Sequence, residues 1–467
     1  MIHNTLKSFP DGFLWGASTS AYQVEGASLS YGKGPSVMDM KAVVPGTTDF
    51  TVCSDHYHNY KEDIQLFADM GLKSYRFSIA WTRIYPDGIG EINEQGVEFY
   101  NNVINELIKH NIEPIVTIYH FDMPYALYLQ GGWSNRSIIS AFVKYSETLF
   151  SLFGDRVKHW LTINEQNIMI LYGHIIGTKR KDIPNPLQDL YQQNHHMMLA
   201  QSIVFERCHK MIPDSKIGPA PNIATIYPAS SAPEDIIAAN NCAALRNWLY
   251  LDLAVHGRYN KTAWAFLELR GATPDIEEND MDIISAGKPD FIALNYYSTE
   301  TVQYHNGIDL DLDFSGDQQM TIDEPGLYKG VTNKFLQNNQ YGWGIDPIGF
   351  RITLRDVYER YNLPILITEN GIAGREYLEN DYSIHDDYRI EYLKLHLLQL
   401  QLAITDGVDV FGYSPWAAID LVSTHQGYNK RYGFIYVDRE EFDLKELKRY
   451  PKDSYYWYRD FIMSQSK

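Results

Sequence analysis

The chain predicts an α/β fold, a single (β/α)8 (TIM) barrel with long βα loops, and three observations carry that expectation. Eight short strand-like runs recur along its 467 residues. Helical spacings separate the first few of them. Carboxylate, amide, imidazole and aromatic side chains gather at the C-terminal ends of the runs, where the loops of such a barrel converge on one face.

The runs are residues 13–18, 74–80, 113–120, 159–165, 216–222, 291–298, 364–370 and 408–416. The seventh is typical: Ile365-Leu366-Ile367 is β-branched and apolar, Pro364 precedes it, and Asn370-Gly371 closes it. That is the pattern of a buried parallel strand opening into a loop. Between the first and second runs, Tyr60, Ile64, Phe67 and Ala68 fall at helical spacing and Gly71 follows. Val97, Tyr100, Ile104, Leu107 and Ile108 repeat the pattern, as do Ile138, Phe142, Tyr145 and Leu149 before Gly154. From pattern alone a doubly wound open sheet is the alternative. The first run, however, is not followed by a G-x-G-x-x-G turn, which removes the usual dinucleotide argument.

A chain of this length can hold two or three average domains, but no Gly/Ser-rich spacer, charge block or low-complexity tract divides it. One domain, residues 1–467, is expected. With 59 acidic against 40 basic side chains the formal charge is −19, which argues against nucleic-acid and anionic-membrane surfaces as partners. Cys53, Cys208 and Cys242 are widely spaced with no CxxC, so neither a disulfide framework nor a zinc knuckle is indicated. Residues 1–11 lack a basic-then-apolar leader, and no apolar run approaches the ~20 residues that span a bilayer. A cytoplasmic location is expected, and oligomeric state is left open.

Two of the apolar runs are followed by a glutamate at or near their end: Ile367-Thr368-Glu369 in the seventh, with Asn370 after it, and Ile163-Asn164-Glu165 at the end of the fourth. Two strands of one barrel can hold a carboxylate pair, and retaining cleavage of a glycosidic bond needs a nucleophile and a proton donor roughly 5–5.5 Å apart. The other strand ends carry groups that bind sugar hydroxyls: Gln23 and Glu25 after the first, Arg76 within the second, His120 closing the third, Asn295 and Tyr297 on the sixth, and Trp416 ending the eighth.

Taken in order, several segments resemble glycoside hydrolase family 1, the β-glucosidase and 6-phospho-β-glucosidase group. They are Phe13-Leu14-Trp15-Gly16-Ala17-Ser18, Tyr22-Gln23-Val24-Glu25-Gly26, Tyr75-Arg76-Phe77-Ser78-Ile79-Ala80-Trp81, His120-Phe121-Asp122-Met123-Pro124, Thr162-Ile163-Asn164-Glu165, Asn295-Tyr296-Tyr297 and Thr368-Glu369-Asn370-Gly371. The resemblance runs nearly end to end. It implies that Glu369 is the nucleophile and Glu165 the general acid/base, with Arg76, Tyr297 and Asn295 in support. It also implies that Gln23, His120, Asn164 and Trp416 contact the sugar. An ionised Glu369 is expected to raise the pKa of Glu165, so that Glu165 begins protonated; once Glu369 is esterified that pKa falls and Glu165 acts as base. Gln166 departs from the pattern, standing where many members have proline, and is expected to adjust no more than local backbone stiffness.

The segment after the eighth run points to a branch of that family. Members acting on unmodified sugars usually carry Glu-Trp where this chain has Ser423-Thr424. Ser423, Lys430 and Tyr432 complete the Ser-x6-Lys-x-Tyr pattern of the phospho-glycosidase branch. A 6-phosphate carries about −1.5 to −2 charges, for which an ammonium and two hydroxyls form a fitting receptor. Phospho-galactosidases typically place Trp after the serine, so Thr424 favours the gluco form. The expected enzyme is a retaining 6-phospho-β-glucosidase taking a small phosphorylated β-glucoside. A 6-phospho-β-galactosidase, an ordinary β-glucosidase and a catalytically silent sugar-phosphate-binding barrel are the alternatives.

Other features read as structural. Asp55-His56-Tyr57-His58 opens a helix without partners at metal-ligand spacing, and His195-His196 reads as a packed or capping pair. Trp15, Trp81 and Trp160 are expected in the core. The four aspartates of residues 309–317 are expected to be solvated, and no metal or other cofactor is expected.

Overall fold

The computed structural model describes residues 3–176, 178–180, 183–307 and 323–465. At its centre an eight-stranded parallel sheet is rolled into a barrel. Its strands are β1 (Leu14–Ser18), β2 (Ser74–Ser78), β3 (Glu113–Tyr119), β4 (His159–Asn164), β5 (Lys216–Ala220), β6 (Ile292–Tyr296), β7 (Ile365–Asn370) and β8 (Val410–Tyr413). Each lies inside one of the runs read from the sequence. β1 and β7 reach the C-terminal end of their runs; the other six stop short of it, because the chain there leaves the ladder to begin a loop.

Helices follow the strands in turn: α1 (His56–Asp69), α2 (Glu94–Lys109), α3 (Ile138–Phe153), α4 (Pro186–Met211), α5 (Lys261–Leu269), α6 (Pro347–Tyr361), α7 (Asp387–Asp406) and α8 (Asp453–Gln465). On α3 the residues that periodicity singles out, Ile138, Phe142, Tyr145 and Leu149, are all buried. Burying one such phenylalanine contributes about 1.5–3 kcal/mol. Ile115, Leu161, Ala220, Ala293 and Leu366 come from five different strands yet form one cluster, which only the barrel interior allows. Trp81 and Trp160 are fully buried and Trp15 nearly so.

Between β5 and β6 the barrel closes through an irregular seam rather than a ladder. Asp290 N donates to Ile217 O at 2.8 Å, and Ile217 N to Asp290 Oδ2 at 2.9 Å. Farther along, Asn295 N donates to Pro221 O and Ile223 N to Asn295 O, both at 3.0 Å, which pairs Asn222 with Asn295.

His56, His195 and His196 are buried and packed, while His58 lies at the surface. His56 Nδ1 bonds Asp63 at 2.7 Å, His58 pairs with Asp55, His195 lies between Tyr259 and Asp280, and His196 bonds Trp133 O. The three cysteines are buried and free. Residues 309–317 lie outside the described segments. Among the described residues no helix is long and apolar enough to cross a membrane.

Candidate active site

Where β4 ends, Glu165 adopts a left-handed backbone conformation, φ 45° and ψ 49°, and starts a short helix, Gln166–Leu171. In an extended strand neighbouring side chains face opposite ways. The turn cancels that alternation here: Asn295 Nδ2 donates to both Asn164 Oδ1, at 3.1 Å, and Glu165 Oε1, at 3.0 Å. Such a conformation costs a non-glycine residue about 1–2 kcal/mol, and the bond from Glu165 N to Ala220 O at 2.8 Å helps hold it. Gln166 does more than set backbone stiffness. Its Nε2 donates to Asn194 Oδ1 on α4 at 2.8 Å and its Oε1 accepts from Gln201, tying the turn to that helix.

On β7 the register against β6 shifts between Ile367 and Glu369, which puts Glu369 opposite Asn295. Its two oxygens are held separately. Arg76 Nη1 donates to Oε1 at 2.6 Å and the Tyr297 hydroxyl donates to Oε2 at 2.6 Å. Arg76 is itself fixed by Thr117 Oγ1 and by Asn164 Oδ1, each at 2.7 Å. Asn164 Nδ2 donates to His120 Nε2 at 3.1 Å, which puts the imidazole proton on Nδ1. That nitrogen is buried and has no protein partner.

Burial lifts the pKa of both carboxylates. Glu165 is pushed up to about 7, first by desolvation and second by the charge of Glu369. The charge of Glu369 raises it as the sequence leads one to expect, but desolvation is the larger cause because Glu165 is almost completely enclosed. Glu369 is also raised by burial, with Arg76 and Tyr297 pulling it back. The partners rank the two. Glu369 has a guanidinium, while Glu165 has only the neutral amides of Asn295 and Asn222. A single shared negative charge therefore settles on Glu369.

Both carboxylates open into a pocket of about 480 Å³. Gln23, His120, Trp416 and Tyr297 line it, and so do Ser423, Lys430 and Tyr432. His120 stacks on Trp416 with centroids 5.9 Å apart. Gln23 is aimed by Ser20 Oγ at 2.7 Å and by the Val422 carbonyl at 2.8 Å. The Lys430 ammonium sits 3.9 Å from the Trp343 ring centre and 4.5 Å from that of Tyr341. Arg76, Asn164 and Asn295 are 0% exposed and form a layer behind the wall. Among the described residues no cluster of three metal-ligating side chains occurs.

Four participants escaped the sequence reading. Asn222 Nδ2 donates to Glu165 Oε1 at 2.8 Å, and Arg246 holds Asn222 through its carbonyl at 2.8 Å and its side-chain oxygen at 2.9 Å. Trp343 meets Tyr297 edge-on at 5.7 Å and carries Lys430 on its face. His425 lines the pocket beside Thr424. Only Asn222 had a sequence signal, as the polar residue ending the fifth run.

A closed parallel barrel with two buried carboxylates at its C-terminal mouth defines a glycoside hydrolase. The chain belongs to glycosyl hydrolase family 1, whose model matches residues 5–467. It is 44% identical over 477 residues to an aryl-phospho-beta-D-glucosidase of Bacillus subtilis, the match covering 100% of both proteins. It is 40% identical to a 6-phospho-beta-glucosidase of Dickeya chrysanthemi, with 98% of each covered. A family 1 β-glucosidase structure from Thermotoga maritima superposes with a TM-score of 0.88 at 36% identity, covering 98% of this chain and 99% of that one.

Proposed function

We propose that the protein is a retaining 6-phospho-β-glucosidase, with residues 1–467 as one catalytic domain, releasing glucose 6-phosphate from a phosphorylated β-glucoside. The observation that carries this reading is that Ser423, Lys430 and Tyr432 line the same pocket as Glu165 and Glu369. One end of the substrate is thereby offered a cation and two hydroxyls, the other a carboxylate pair. The names borne by the relatives in Bacillus subtilis and Dickeya chrysanthemi agree with it. A charged sugar phosphate does not cross a bilayer unaided, so the cytoplasm is the compartment this substrate implies.

In this reading the ionised Glu369 attacks the anomeric carbon while Glu165 gives its proton to the departing oxygen, leaving a covalent glycosyl-enzyme and a free alcohol. Esterification removes the charge of Glu369. Glu165 then loses one of the causes that raised its pKa and takes the proton of the incoming water. Tyr297 and Arg76 hold the nucleophile in line. His120 Nδ1–H, Gln23 and Trp416, with Asn164 directly behind His120, take the ring and its hydroxyls.

A panel of four aryl glycosides tests the proposal: gluco and galacto, each with and without the 6-phosphate. The expected order puts the 6-phospho-gluco substrate first. Equal rates with and without phosphate return the protein to ordinary β-glucosidases, and preference for the galacto form makes it a 6-phospho-β-galactosidase. Thr424, which bonds the Tyr22 hydroxyl at 2.8 Å, occupies the position that favours gluco. A slow 2-fluoro sugar phosphate should leave a covalent adduct on Glu369 visible by mass; no adduct and no turnover would support a binding-only barrel.

A further inference from the structure

Lys430 supplies one positive charge, and a sugar phosphate brings nearly two. A second cation stands on the loop after β1. Lys41 Nζ lies 3.3 Å from His425 Nδ1. An ammonium has donors and no acceptor, so His425 Nδ1 must accept and its ring proton must sit on Nε2. Burial and the nearby charges of Lys41 and Lys430 push the His425 pKa down to about 3, which keeps the ring neutral with that single proton. Lys41, lowered to about 8 by burial, remains mostly protonated at neutral pH.

The proton on Nε2 has nowhere to go. His425 Nε2 is buried and has no hydrogen-bond partner in the protein. Leaving a buried donor unmatched costs about 1–3 kcal/mol, so such a group marks a place where an acceptor is expected to arrive. His425 is also shared by two cavities. It lines the catalytic pocket together with Ser423, Thr424 and Lys430, and it lines the neighbouring cavity of about 730 Å³ together with Lys41, Ser423 and Thr424. The histidine is thus part of the wall, with Ser423 and Thr424, between Lys41 and the proposed phosphate site.

We infer that His425 donates its Nε2–H to the 6-phosphate of the substrate, and that Lys41 acts behind it as a positioning residue that fixes the tautomer and adds the second positive charge. The inference rests on the 6-phosphate reading of the pocket. It adds to Ser423, Lys430 and Tyr432 a donor of a different kind, a neutral imidazole polarised by an ammonium. Polarisation of one donor by another strengthens the outer bond in a low-dielectric site. A neutral ring also spares the pocket a third full charge when no phosphate is bound.

The test compares His425→Phe, His425→Gln, Lys41→Met and, as a control on the underlying reading, Lys430→Ala. The readout is the ratio of kcat/KM for an aryl 6-phospho-β-glucoside to that for the unphosphorylated glucoside, with KM and kcat separated. Inhibition by glucose 6-phosphate against glucose gives a second measure of the same discrimination. His425→Phe should lower the ratio about tenfold or more, through KM, as expected for one hydrogen bond to a charged group. His425→Gln, which keeps an N–H donor, should recover most of that loss, and Lys41→Met should lower the ratio several-fold. An unchanged ratio in His425→Phe, or an equal loss on both substrates, overturns the inference. If Lys430→Ala lowers the ratio while His425→Phe does not, only this inference falls. If the parent enzyme shows no phosphate preference, the reading beneath it falls as well.

Discussion

Arg76 Nη1 lies 2.6 Å from Glu369 Oε1, and neither side chain is more than 5% exposed. A buried guanidinium–carboxylate pair is costly to break from one side, because the remaining partner stays desolvated and unpaired, at about 3–5 kcal/mol. Arg76→Met should therefore lower unfolding free energy by an amount in that range, less whatever Glu369 recovers by taking a proton. The protonation has its own signature. Without Arg76 the pKa of Glu369 rises further, so the acid limb of the kcat/KM profile should move to higher pH. A variant that loses activity with an unmoved acid limb would show that Arg76 does not keep Glu369 ionised.

Glu165 carries a pKa of about 7 against an ordinary 4.5. Activity that needs its proton should decline as pH rises through 7, and in Glu165→Gln the alkaline limb should disappear. Stability runs the same way. The folded protein binds this proton more tightly than the unfolded chain, so the contribution is full below pH 4.5 and is lost as pH rises toward 7. Its size is roughly 3 kcal/mol at 1.36 kcal/mol per pH unit. Urea titrations of parent and Glu165→Gln at pH 4.5 and 7.5 should show the parent losing more stability across that interval.

Asn222 donates to the carboxylate form of Glu165 at 2.8 Å and so holds its pKa down. Asn222→Ala should move the alkaline limb upward by on the order of one pH unit. It should also reduce kcat if, as proposed, Glu165 is the base of deglycosylation. An alkaline limb that stays in place would mean that the Asn222 hydrogen bond does not lower the pKa of Glu165.

Lys430 is 2% exposed with its ammonium on the face of Trp343. Lys430→Ala should raise KM for a phosphorylated substrate by about 10–100-fold, the range for charge-assisted hydrogen bonds, and leave kcat largely intact. A fall in kcat at constant KM would assign the lysine to the chemical step instead.

The barrel was legible because parallel strands buried on both faces leave an apolar run that few other structures produce. Spacing located helices α1, α2 and α3, although on α2 Ile108, which fits the spacing, is exposed. Strand ends were placed too far along, since Glu165 and Trp416 continue the composition of their strands after leaving the ladder. The residues expected at the site meet around one pocket or directly behind it, except Glu25, whose carboxylate is taken up by Arg83 at 2.6 Å and the Tyr100 hydroxyl at 2.7 Å and does not line the pocket. Arg246 was invisible because it reaches Asn222 from a π-helical stretch, Ala244–Trp248, that carries no motif. Trp343 and His425 come from loops whose paths no periodicity describes. Their distances to Lys430 and Lys41 are set by tertiary packing between segments far apart in the chain.

The seam between β5 and β6 joins two matters usually considered apart. Its outermost pairing sets Asn222 beside Asn295, and these two amides are the donors on Glu165. An irregular closure lacks the continuous ladder that joins regular strands, which makes it a place expected to part early under mild denaturant. Parting there strips Glu165 of its donors while the remaining strands stay paired. Inactivation should then precede the loss of secondary structure as urea rises, with the gap measurable by following turnover and circular dichroism on the same samples. The enzyme would stop working as a glycosidase while it was still, by every spectroscopic measure of its backbone, a barrel.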